Sequence, residues 1–82
     1  MILLLFSIGQ NLEKVTEGNV EINRMVVHGP DWPGGDEDQR SIGVIEIDYQ
    51  DGMAAVRWTE TRHLLDHHIG ADGKFELSYA GI

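Results

Sequence analysis

Two alternating runs of residues on either side of Asp51-Gly52 constrain the fold of this chain most strongly. Residues 44–49 and 53–58 alternate apolar with polar or small side chains, the pattern of half-buried β-strands. Asp-Gly favours the positive φ angles of a type I′ hairpin turn. The register that pairs Gln50 with Met53 sets Tyr49 opposite Ala54, Ile47 opposite Val56 and Ile45 opposite Trp58, with Glu46 facing Arg57 on the other side. A slip of one residue would put polar side chains on the apolar face, so this pairing is predicted, with Ile45, Ile47 and Trp58 in the core.

Further strand signals lie on both sides of this hairpin. Met25 to His28 is one, and Lys74 to Tyr79 is another, introduced by a tight turn at Asp72-Gly73. The intervening run from Gly29 to Asp36 is too rich in Gly, Pro and Asp for regular structure and predicts a long, structured loop. Short strands separated by Gly-rich turns predict an all-β fold, a small barrel of the SH3 type.

Composition limits the classes of partner. The 82 residues fit one domain. The absence of Cys excludes disulfides and thiolate-bound zinc, and it suits an intracellular, cytoplasmic protein. A net charge of −8 would repel a phosphate backbone, so nucleic acid is not expected as a partner. The same charge would attract a basic protein or peptide, although a merely solvated acidic surface is the commoner meaning of such a charge.

The N-terminal part, residues 1–23, is predicted to be an extension outside the barrel or at its edge, and residues 24–80 to be the domain itself. The extension could form a strand, or a short helix capped by Asn11, running through Leu12 and Val15 and ending at Gly18. The apolar start from Met1 to Phe6 lacks a basic region, a cleavage site and the length of a membrane span. No membrane association is therefore predicted.

Several short motifs follow one another along the chain in an order that is typical of one family of domains. They are Val26-Val27-His28-Gly29-Pro30-Asp31-Trp32, Gly35-Asp36-Glu37-Asp38, Gly43-Val44-Ile45, Val56-Arg57-Trp58 and Gly70-Ala71-Asp72-Gly73-Lys74-Phe75-Glu76-Leu77. In this order and at this spacing they resemble the Mind bomb/Herc domain, over about two thirds of the chain. The chain departs from the family pattern at Pro33-Gly34, where an aromatic residue is usual, and at Asp38-Gln39-Arg40, where the family has Asp-Gly-Gly. It departs again after Trp58, which suggests an altered partner specificity.

The resemblance implies an SH3-like barrel that binds other proteins, as a non-catalytic module of a ubiquitin ligase. Ubiquitin transfer would then belong to a separate RING or HECT domain, since this chain has neither the zinc-binding cysteines of the first nor the nucleophilic cysteine of the second. No cofactor or metal is predicted for this domain. Its expected partner is a protein or peptide, and the negative charge of the chain favours a basic one.

Candidate partner-binding residues are concentrated in two places. Trp32 lies in a loop stiffened by Gly and Pro, where it could anchor a partner or, equally, pin the loop to the barrel. The acidic residues Asp31, Asp36 and Asp38 could receive Lys or Arg from a partner, or could cap turns. Histidine is the side chain that ordinarily changes its charge near neutral pH, so His67 and His68 could make binding depend on pH.

Two other functions fit parts of the sequence. The cluster of His63, Asp66, His67 and His68 could ligate a metal ion, since His63 and His67 would share one face of a helix. A zinc hydrolase also needs a third ligand and a placed general base, however, and no His-Glu-x-x-His motif is present. Alternatively, the barrel could read basic or methylated tails through an aromatic cage. The aromatic residues available for a cage are Trp32, Tyr49, Trp58, Phe75 and Tyr79, most of which are also needed for the core.

Overall fold

A computed structural model describes residues 12–33 and 41–81 of the chain. These residues form five strands: β1 (Met25–His28), β2 (Gly43–Asp48), β3 (Met53–Trp58), β4 (Leu64–His68) and β5 (Leu77–Tyr79). All neighbouring strands are antiparallel, and the order in the single sheet is β4-β3-β2-β1-β5. The predicted all-β class is confirmed. The only helical segment in the described residues is a 3₁₀ turn at Ala71–Gly73, and none of them forms a helix suited in length and apolar character to crossing a membrane.

The core lies on the inner face of the sheet, where alternate residues of each strand meet. Apolar side chains from every strand except β4 are completely or almost completely buried there, because a strand directs every second side chain to the same face. The buried cluster consists of Val15, Val26, Ile45, Ala54, Val56, Trp58, Ile69, Leu77 and Tyr79, with Val20 and Trp32 packed against it.

The hairpin between β2 and β3 forms, but the predicted register and turn are wrong. Positive φ angles occur at Gln50 and Gly52 rather than at Asp51 and Gly52, so the turn is not type I′. The last pair before the turn is Asp48 with Ala54, and residues 49–52 connect the two strands. The Asp51 carboxylate accepts a hydrogen bond from the backbone N–H of Met53 at 3.1 Å, which stabilises the wider turn.

A bulge in β2 then changes the pairing again. Ile47 pairs with Ala55 and Ile45 with Val56, which leaves Glu46 as the extra residue. The bulge turns Ile47 to the outer face, where it is 38% exposed, while Ile45 and Trp58 are buried as predicted. The placement of Ile47 in the core was therefore wrong. The predicted contact between Glu46 and Arg57 is present, with Arg57 Nε donating to Glu46 at 2.8 Å.

The tight turn at Asp72-Gly73 is confirmed. Asp72 and Gly73 have φ angles of 57° and 71°, and the N–H of Lys74 bonds the carbonyl of Ala71 at 3.1 Å. The chain after this turn pairs first at a single bridge between Ile69 and Phe75, and β5 begins only at Leu77. At this bridge the residue after β4 pairs with the chain that leads into β5. No continuous ladder joins the two strands in the described part of the chain.

The segment before β1 packs against the sheet. No helix forms over residues 12–18, and Asn11, the predicted cap, lies outside the described residues. Residues 13–15 instead run along the free edge of β5. Val15 donates its N–H to the carbonyl of Leu77 at 2.9 Å, and Tyr79 donates to Glu13 at 2.8 Å. Because Val15 is fully buried, this segment contributes directly to the core.

We expect Gly29→Ala to destabilise the fold. Gly29 donates its N–H to the carbonyl of Glu76 at 2.7 Å, and a Cβ at this position would lie 2.5 Å from the Leu77 nitrogen. Such a clash with backbone atoms cannot be relieved by a rotamer change, so urea denaturation should show a loss of about 2 kcal/mol or more. Gly18→Ala is the matched control, since its Cβ would meet only Thr16 Oγ1 at 3.7 Å. Equal stability of the two variants would contradict this packing.

Candidate protein-binding site

The segment Gly29–Trp32 forms a tight turn that is fastened to the chain just before β5. The N–H of Trp32 bonds the carbonyl of Gly29 at 3.3 Å, which closes the turn. Asp31 makes two bonds to Phe75: its N–H donates to the Phe75 carbonyl at 2.9 Å, and its carboxylate accepts the Phe75 N–H at 2.8 Å. A carboxylate that accepts a backbone N–H in this way fixes the position of the turn.

The Trp32 side chain lies in a cluster of aromatic rings on the inner side of the sheet. Its indole is stacked on the His28 ring with 3.6 Å between centroids and 7° between planes. Trp58 lies nearly perpendicular to it, with 5.4 Å between ring centroids, and the centroid of His67 is 4.9 Å away. Trp32 is only half-buried in this cluster, so part of a rigidly held indole faces solvent.

His67 is the polar centre of the cluster. It lies on the inner face of β4 and is 6% exposed. The indole N–H of Trp58 donates to His67 Nε2 at 3.0 Å, so Nε2 carries no proton. The proton is therefore on Nδ1, which lies 3.0 Å from an oxygen of Glu76. Burial lowers the pKa of His67 below its ordinary value and outweighs the opposing effect of Glu76.

Glu76 connects His67 to His68. Its second carboxylate oxygen lies 2.7 Å from His68 Nδ1, and its first also accepts the backbone N–H of His68 at 3.2 Å. Burial alone would raise the pKa of Glu76, but the hydrogen bonds from His67 and His68 together outweigh it and lower that pKa. The carboxylate is thus held ionised in a buried position by three donors.

The structure brings together some of the sequence-predicted site residues. Trp32 and His67 are in ring contact, and His68 adjoins them through Glu76. Asp31 lies in the same turn as Trp32. One of its carboxylate oxygens accepts the Phe75 N–H, and the residue remains exposed to solvent. Asp36 and Asp38 lie outside the described residues.

Sequence reasoning did not identify His28 and Glu76 as parts of the site. His28 could have been found, because it shares a face with Val26 in a predicted strand that leads directly into the Trp32 loop. Glu76 gave no such signal. It alternates with Phe75 and Leu77, so the pattern assigned it to solvent, whereas it is 6% exposed and hydrogen-bonded to two histidines.

An exposed leucine adjoins this cluster on the inner side of β4. Leu65 precedes His67 by two residues, so both project to the same face about 7 Å apart along the strand. Its partner in the ladder, Val56, is fully buried, yet Leu65 is 46% exposed. We call Trp32, His28 and Leu65 the Trp32 surface.

The helix that would have grouped histidines around a metal ion does not form. Residues 64–68 are a strand, in which neighbouring residues project to opposite faces, so His67 points inward while Asp66 and His68 point outward. The pairing of this segment with β3 overrides its helix propensity. Within residues 12–33 and 41–81, no group of three or more His, Cys, Asp or Glu side chains is arranged to hold a metal ion.

A separate groove of about 370 Å³ lies between the 16–18 turn and the turns that hold Gly52 and Gly70. Its lining is mainly turn backbone together with Ile69 and Phe75, and it includes none of the Trp32 surface. The polar residues in its lining are Thr16, Glu17 and Asp51.

Comparison with known proteins does not assign the chain to a family. No family model matches the sequence, and no curated protein matches it.

The bonding of His67 predicts that acid destabilises the protein. The folded state lowers the pKa of His67 from the ordinary value of 6.5, so below about pH 6.5 the unfolded chain binds more protons than the folded one. The stability that the neutral His67 ring contributes should therefore be fully present above that pH and be lost as the pH falls towards the lowered pKa, by up to ~1.4 kcal/mol per pH unit for one proton.

The comparison that checks this is urea denaturation of His67→Gln at the same pH values. A glutamine can accept from Trp58 and donate to Glu76 but does not titrate, so its stability should depend less on pH over this range. His63→Gln, which alters an exposed side chain, serves as the control and should retain the wild-type profile. An unchanged pH dependence in His67→Gln would contradict the assignment.

Proposed function

We propose that this chain is a non-catalytic protein-interaction module that binds a peptide or a neighbouring domain at the Trp32 surface. The observation that carries the proposal is the partly buried Trp32 indole, stacked on His28 on the same side of the sheet as exposed Leu65. Protein interfaces are centred on such aromatic anchors, which lose little conformational entropy on binding because they are already held.

We further propose that the module is of the Mind bomb/Herc type and belongs to a ubiquitin ligase whose catalytic domain is separate. Contacts between the motifs that carry the resemblance support this. The first motif docks through Gly29 and Asp31 onto the last, at Phe75 and Glu76. Gly43 of another motif lies beneath Trp58, where a Cβ would approach the ring to 2.9 Å. Because these motifs pack against one another in the folded structure, they would be expected to occur together in one sequence. A cytoplasmic location suits such a ligase.

The charge of the protein supports a basic partner. The chain has 14 acidic and 6 basic residues. Several of the described basic side chains are already engaged, since Arg57 bonds Glu46 and Lys14 lies over the Phe75 ring at 4.1 Å. The resulting negative field would speed the approach of a positively charged peptide.

The geometry does not favour the alternative of a cage for methylated tails. Trp58 and Tyr79 are buried in the core, and Tyr49 lies on the outer face, where its hydroxyl donates to Asp66 at 2.9 Å. The other two rings, Phe75 and Trp32, are partly exposed. Lys14 already lies over Phe75 at 4.1 Å, and Trp32 is covered on one face by His28 at stacking distance, which leaves no room for a cation between the two stacked rings.

Selection from a displayed library of random ten-residue peptides tests the proposal. We expect peptides selected on the wild-type protein to bind Trp32→Ala and Leu65→Glu at least about tenfold more weakly, because each change removes an apolar contact from the surface. Leu65→Glu alters a half-exposed side chain and should fold normally. It therefore remains informative if Trp32→Ala, which removes a partly buried ring, loses stability.

Ile22→Ala is the matched control, since Ile22 is also 46% exposed but lies in the turn before β1. It should bind the selected peptides with wild-type affinity. The proposal fails if no peptide is enriched, or if the enriched peptides bind Leu65→Glu as well as they bind the wild-type protein.

A further inference from the structure

The hydrogen-bonding pattern of β4 shows which of its backbone groups face away from the sheet. Trp58 donates its N–H to the carbonyl of His63, and Ile69 donates to the carbonyl of Gly52. In an antiparallel ladder, bonded and non-bonded pairs alternate. The backbone N–H and C=O groups of Leu65 and His67 therefore face β3, and those of Leu64, Asp66 and His68 face outward.

Only part of this outward edge is already bonded. The N–H of His68 is taken by the Glu76 carboxylate, and its carbonyl accepts the Glu76 N–H at 2.9 Å. The backbone groups of Leu64 and Asp66 have no such partner in the described ranges, 12–33 and 41–81. The opposite edge of the sheet, at β5, is covered by residues 13–15. The open edge is thus a short stretch of β4 beside the Trp32 surface.

From this geometry we infer that the protein binds its partner by strand addition. An extended basic peptide pairs with the edge of β4 at Leu64–Asp66. The inference rests on the proposed interaction function and specifies its binding mode. Main-chain bonds to an unpaired edge supply affinity, and side chains that alternate between the two faces supply specificity.

The side chains around the edge define the peptide. On the outer face, Asp66 is exposed, and its one hydrogen bond from a described side chain comes from the Tyr49 hydroxyl. Arg57, on the same face of the neighbouring strand, is held by Glu46. A lysine or arginine therefore fits opposite Asp66. Leu64 on the outer face and Leu65 on the inner face are 39% and 46% exposed and favour apolar partners. In an antiparallel peptide this gives the order basic, apolar, apolar.

The probe is a synthetic heptapeptide, Ser-Thr-Lys-Val-Val-Thr-Ser, with blocked ends. In the inferred register its Lys lies opposite Asp66 and its second Val opposite Leu64, so the N–H groups of these two residues face β4. The N–H of the first Val points away. N-methylation of the second Val should weaken binding at least about tenfold through loss of one bond and a steric clash, whereas N-methylation of the first Val should leave binding nearly unchanged.

Amide hydrogen exchange locates the contact. The Leu64 and Asp66 amides should exchange freely in the protein alone and slow down when the unmethylated probe binds. Asp66→Asn should weaken binding several-fold, because it removes the charge that faces the lysine. Glu17→Gln, a change of the same kind at an exposed residue of the 17–19 turn, should not.

Strand addition is overturned if the probe does not bind, if the two methylated peptides bind equally, or if the Leu64 and Asp66 amides are already protected in the free protein. These failures differ from a failure of the proposed function. Library peptides could bind Leu65→Glu more weakly than the wild-type protein and yet tolerate N-methylation at every backbone position. That result would support the interaction function and exclude only strand addition.

Discussion

The hydrogen bond from the Trp58 indole to His67 connects the core of the sheet to the surface that we propose as the binding site. Trp58 belongs to the buried cluster, and His67 contacts both Trp58 and Trp32. The bond fixes the plane of the imidazole and its tautomer, and the opposite nitrogen then reaches Glu76. A buried imidazole with both nitrogens hydrogen-bonded costs little free energy of folding. If one nitrogen lost its partner, the cost would be about 1–3 kcal/mol.

This arrangement explains why a short sheet can present a rigid loop. The Trp32 turn is bonded to Phe75 on one side and stacked on His28 on the other, so its backbone and its ring are fixed independently. Glu76 lies between the two histidines and also closes the last part of the β4 edge. By accepting the outward N–H of His68, Glu76 limits the open edge, in the described part of the chain, to Leu64 and Asp66. The Trp32 surface and this edge both include residues of β4.

Much of the architecture could be predicted because it depends on local patterns. The alternation around Asp51-Gly52 predicted two paired strands, and the positive φ angles at Asp72 and Gly73 follow from residue types that tolerate them. The details that failed depend on contacts distant in sequence. The bulge beside Ile47 lengthens one strand by one residue, and an alternating pattern contains no sign of such an insertion.

The candidate site was predictable to a smaller extent for the same reason. Trp32 and His67 could be singled out by residue type, but their contact requires β1 and β4 to lie on the same sheet. The role of Glu76 is visible only once His67 and His68 are placed around it. The burial of Val15 could not be predicted either, since it depends on pairing with β5, which lies more than 60 residues later in the chain.

The tautomer of His67 is the most direct test of this account, and nitrogen-15 NMR of the imidazole ring at neutral pH measures it. The structure predicts a neutral ring with its proton on Nδ1 and an Nε2 signal shifted by the hydrogen bond from the Trp58 indole. A ring that is protonated on Nε2, or charged at this pH, could not accept that bond. Either result would contradict the proposed link between the core and the binding surface.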